Sequence, residues 1–184
     1  FSADISDFIQ YLPKTMPMMK KLPFEFQKRI LLSLVIGCQK EPNNHFSISI
    51  SLLIGHNKEL LIPFLVKRLI KENLGIAAIW IGPTFFSTRQ NYDLLSKEGK
   101  NFFLTKSLDQ LNSTPLNLSQ FDCSCRIIAH MIRYSTDKEE INSIQSQVKE
   151  RLLPSYLPIY KISLLDIPND YIDNIKDNPD EPDS

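Results

Sequence analysis

The chain has 184 residues, 42% hydrophobic and 23% charged, with 21 basic residues against 21 acidic ones. That length and apolar share suit one globular core, and the cancelled charge removes the global field that would draw nucleic acid or an anionic membrane. Three cysteines, an odd number with neither disulfide-framework nor zinc spacing, read as free thiols in a reducing compartment, and no metal site is expected.

The first forty residues carry two helical segments, ISDFIQYL and FEFQKRILLSLVIG, parted by LPKTMPMMKKLP, whose prolines stop a helix. The longest apolar run, ILLSLVIGC, is about half of the ~20 residues a bilayer span needs, so no transmembrane segment is expected. Phe46, Ile48, Ile50 and Leu52 then alternate with Ser47, Ser49 and Ser51, which predicts a strand with His45 at its start. Gly55, His56 and Asn57 predict a hairpin turn into a short strand at 59–62, after which Pro63 opens a helix, PFLVKRLIKEN. GIAAIWIG, at 75–82, reads as a more buried strand. Between Pro83 and Pro115 weaker signals predict a short helix near 92–97, a strand at NFFLTK and a polar loop at DQLNSTP. Asp122 is the predicted N-cap of a helix running to about Tyr134, and DKEEINSIQSQVKERLL is a second helix ending before Pro154. The tail NPDEPDS is acidic, contains proline and is expected to be disordered. No repeat is evident, and the five glycines form no phosphate-cradling loop.

These elements predict an α/β (α+β) fold in which a small mixed sheet packs against a helix carrying Cys125, with flanking helices. One domain is expected over 1–166, helical up to about residue 40, followed by a C-terminal segment at 167–184. In that arrangement Cys125 sits in the first turn of its helix, where the helix N-terminus favours a thiolate. His45 can take the thiol proton, and Gln120, in the loop before the helix, can donate to an oxyanion. A buried structural role competes with each of these. Cysteine is among the most buried residue types, so Cys125 on an apolar helix is equally a core residue. Cys123 becomes the reactive thiol if the register shifts by two, whereas Cys38, ending an apolar run, is structural. His56 reads as solvent-facing, and His130 is poorly placed to reach Cys125. Trp80 reads as a core or interface anchor, and Lys67, Arg68 and Lys71 as the solvated face of a helix.

The order His45, Gln120, Cys125 resembles that of the ubiquitin-like-protein proteases and the YopJ-type effector acetyltransferases, which share the CE-clan cysteine protease fold. NNHFSISISLLIG looks like the histidine strand of that superfamily, SQFDCSCRIIAHMIRY like its Gln-to-Cys segment and following helix, and LLPSYLPIYK is similar to a stretch near the end of YopJ-type domains. The resemblance implies thiol-dependent acyl transfer on host proteins by a secreted bacterial effector acting in the host cytoplasm, with Cys125 as nucleophile, His45 as base and Gln120 at the oxyanion. It further implies acetyl-CoA as acyl donor and a basic surface that takes an activating inositol phosphate. A ubiquitin-like-protein isopeptidase is the alternative activity. The sequence departs from the pattern at Gly82, where an orienting acid is expected, at Arg126, where glycine usually follows the nucleophile, and in a Gln-to-Cys spacing about one residue short. Asp93 and Glu59 are the remaining nameable acids. These departures keep open an inactive relative acting as a protein-binding module, or an unrelated interaction module whose cysteines are all core.

Overall fold

The computed structural model describes residues 18–151. Their regular elements are α1 (Phe24–Lys40), α2 (Asn44–Ile54), α3 (Lys58–Lys71), α4 (Gly75–Phe85), the short α5 (Arg89–Asp93), α6 (Lys97–Gln110), α7 (Leu118–Tyr134) and α8 (Lys138–Arg151). The described residues hold no strand, which corrects the predicted α/β fold. With no sheet among the described residues, the CE-clan cysteine protease and acyltransferase fold implied by the resemblance is corrected as well. The predicted ISDFIQYL helix, the LLPSYLPIYK stretch and the acidic tail lie outside the described residues.

The segment predicted to be the His45 strand is α2. Asn43 caps it, its Oδ1 accepting from the Phe46 N–H at 3.2 Å. Alternation at a period of two also sets residues four apart on one helical face, so Phe46, Ile50 and Ile54 fit both patterns. Leu53 breaks the tie, because it completes the helical series and is buried with them, whereas Ile48 and Leu52 are 50% and 40% exposed. The turn at 55–57 is real but joins two helices. α3 begins at Lys58, earlier than predicted, so Pro63 lies inside it and the predicted strand at 59–62 is its first turns. Its C-terminus is a Schellman motif, with Asn73 at φ 51°, the Leu74 N–H on the Leu69 carbonyl at 2.9 Å and the Asn73 N–H on the Ile70 carbonyl at 3.1 Å.

The predicted GIAAIWIG strand is α4, apolar nearly all round because it is the central helix, packed by α1, α2, α6 and α7. Gln39 on α1 accepts from the Ala77 N–H at 2.9 Å, satisfying a donor that the first helical turn leaves unpaired. Gly82 lets α7 approach, since a Cβ there would collide with the side chain of Ile127. NFFLTK, predicted as a strand, lies inside α6, and the predicted short helix is displaced to Arg89–Asp93. α7 divides two buried clusters. Its Ile127, Met131 and Tyr134 join the cluster built around α1 to α4, while Phe121, Cys125, Ile128 and Ile132 meet α6 and α8.

Candidate functional site

Asn117 caps α7, its Oδ1 accepting from the Gln120 N–H at 3.1 Å. Asp122, the predicted cap, is thus inside the helix and pairs with Arg126 at 3.0 Å on the surface. Cys125 is consequently in the third helical turn, beyond the reach of the N-terminal partial charge, which falls off within the first turn. It is 4% exposed among Leu108, Phe121, Ile128 and the inner residues of α8. Burial, aided by the nearby Asp122 carboxylate, pushes its thiol up from an ordinary 9.0 to about 12, opposite to the shift a nucleophile needs.

His45 lies exposed in the first turn of α2, a helix packed on α1, α3 and α4, while the cluster around Cys125 contains no residue of α2. Gln120 is in the first turn of α7, not in a loop, and its carbonyl accepts from Ser124 Oγ at 2.8 Å. His45 is thus an exposed residue at the start of one helix, while Gln120 and Cys125 are a first-turn residue and a buried residue of another. Gly82, where an acid was expected, serves helix packing, Asp93 pairs with Arg89 at 3.8 Å, and Glu59 is exposed in the first turn of α3. Cys123 is half-buried and its thiol is pushed up, chiefly by burial, while Cys38 is buried and raised to about 12 for the same main reason. His56 is lowered by burial and by Lys20, His130 stacks on Tyr134 with ring centroids 5.9 Å apart, and Trp80 packs half-buried against the larger cluster. Among the described residues no His, Cys, Asp and Glu gather as a metal-ligand set, and no helix is long and apolar enough to cross a membrane.

The open surfaces lie elsewhere. α3 and α6 run side by side, Val66 against Gly99, where a Cβ would come 2.8 Å from Val66 Cγ1. Between them two adjoining hollows of about 520 and 390 Å³ share Ile70 and Glu98 and form one groove from Pro63 and Leu94 to Asn73 and Lys106. Half-buried Ile70, Leu94 and Phe102 supply apolar floor, and lysines stand on both walls. A smaller cleft of about 260 Å³ has Ile48 and Leu52 at its edge and Phe85 and Asn91 in its wall; Asn91 Nδ2 donates to the Phe85 carbonyl at 2.6 Å. The groove was hidden in the sequence because half its wall was predicted as a strand at NFFLTK and the lysines of α3 as an ordinary solvated face. Ile70, set between Lys67 and Lys71 on one helix, was the available signal. No protein-family model, curated protein or solved structure matches the chain.

Proposed function

We propose that the chain is a non-catalytic helical module that recognises another protein through the groove between α3 and α6. The carrying observation is the groove itself: partly solvent-facing Ile70, Leu94 and Phe102, framed by polar and charged side chains, have the layout that takes the apolar face of a partner segment. The three thiols, two buried and one half-buried and each pushed away from the thiolate, favour recognition over covalent chemistry. The proposal takes neither acetyl-CoA nor an inositol phosphate as a ligand.

The test is selection of a displayed random-peptide library on the full chain, repeated on Phe102→Ala. Enriched sequences that compete with one another and bind the folded Phe102→Ala chain more weakly support the reading. No enrichment, or enrichment indifferent to the substitution, rejects it.

A further inference from the structure

The walls of the groove are charged unevenly. Lys67 and Lys71 stand one turn apart on the α3 wall and Lys106 at the far end of the α6 wall, while Glu98 is the one acid among the lining residues. Acids close in sequence are already neutralised, Glu72 by Arg68 at 3.1 Å and Asp93 by Arg89 at 3.8 Å. Lys106 is held in place. A Cβ built on Gly75 comes 3.0 Å from its Cδ, so the stem lies against that backbone, and its Nζ is 5.6 Å from the centroid of the Phe102 ring. The Ser96 end of the groove is the N-terminus of α6, whose macrodipole has the same positive sign. In a chain of zero formal net charge this excess is local, and the fold creates it.

We propose that the groove binds an acidic amphipathic segment of another protein, with apolar side chains on Ile70, Leu94 and Phe102 and carboxylates paired to Lys67, Lys71 and Lys106. This rests on the recognition reading above and adds the chemistry of the partner. The α3 wall from Pro63 to Asn73 is about 15 Å long, room for about three turns of a bound helix. Lys67 and Lys71, about 6 Å apart along the axis, match carboxylates set one turn apart on such a helix. Opposite charge at the rim of an apolar contact chiefly selects the partner and speeds its arrival, so a basic or neutral segment of equal apolarity is discriminated against.

The experiment titrates a fluorescent peptide of about ten residues, leucines on one helical face and glutamates flanking that face, into the full chain and follows anisotropy. A second peptide replaces each glutamate with glutamine, and a third with lysine. The glutamate peptide is expected to bind at least about tenfold tighter than the glutamine peptide, with the advantage shrinking as salt rises. That advantage is lost on Lys67→Glu/Lys71→Glu, and the lysine peptide gains on the same variant. Circular dichroism checks that the variant is folded, and Lys67→Gln/Lys71→Gln carries the comparison if it is not. Equal binding of the glutamate and glutamine peptides overturns the acidic partner and leaves groove recognition standing, whereas failure of every peptide, together with an unenriched library, removes both. Two other occupants are separable. Carbodiimide coupling of Lys67 or Lys71 to a carboxylate within 169–184 of the same molecule assigns the groove to the chain's own acidic segment. A dimer in sedimentation that the double charge reversal dissolves assigns it to a second copy, and either result overturns the proposal.

Discussion

Cys125 illustrates how little a residue type says without its surroundings. The same thiol would be a nucleophile at a helix N-terminus and is inert in the third turn, where desolvation penalises its charged form. Its burial could be read from the apolar periodicity of CRIIAHMIRY, but its distance from the helix start could not. Asn117 and Asp122 are both good N-caps, and the choice between them moves Cys125 by more than one turn. Cys125→Ala is expected to lower stability by about 1–2 kcal/mol, through lost transfer energy and the small cavity left behind. In the unmutated protein Cys125 should alkylate at neutral pH far more slowly than a small free thiol and more slowly than half-buried Cys123. Labelling followed by peptide mapping measures both, and rapid modification of Cys125 would contradict its buried place.

At the scale of the element, α2 and α4 carry the lesson. In α2 the serines are small enough to be buried in helix packing, Ser47 and Ser49 at 4% and 3% exposure, so a polar residue at every second position did not mark a solvent face. A strand would place Ile48 and Ile50 on the same side; the helix separates them. Ile50→Ala should therefore cost about 2–4 kcal/mol, and Ile48→Ala under about 1 kcal/mol, by urea denaturation. Equal costs would restore the strand. In α4, Gly82 lies where α7 comes closest, and Gly82→Ala should destabilise by about 1–3 kcal/mol despite the better helix propensity of alanine. Placed on an Ile127→Ala background, the same substitution should cost about 0.5 kcal/mol or less, because the colliding side chain is gone. A full penalty on both backgrounds would show that the contact with Ile127 is not the cause.

At the scale of the whole molecule, the described residues are held by two apolar clusters on either side of α7, with Leu104 of α6 packed against both. Within these clusters the thiols of Cys38 and Cys125 are raised from 9.0 to about 12 and the Tyr92 phenol from 10.0 to about 12, all chiefly by burial. A raised folded value means that the folded state keeps its proton more tightly than the unfolded chain. The associated stability is fully present below the unfolded values and is lost as pH rises from about 9 toward 12. Urea midpoints should hold steady between about pH 7 and pH 8.5 and fall progressively above that. A midpoint unchanged well above pH 9 would mean that these groups ionise in the folded state without cost.

By itself the sequence determined the helices whose apolar positions recur at three and four residues, α1, α7 and α8, since that spacing buries one face whatever the neighbours are. It also determined the turn at 55–57, through glycine and asparagine, and the absence of a global charge that would attract a polyanion. The short apolar runs in α2, α4 and α6 were compatible with two periods, and only tertiary packing chose between them: α4 became a helix because other helices surround it, and α2 because Leu53 and Ile54 complete a buried helical face. The groove was likewise a tertiary decision. Its lysines and floor residues come from α3, α6 and the segment between α5 and α6, and no single stretch of chain contains the surface they form together.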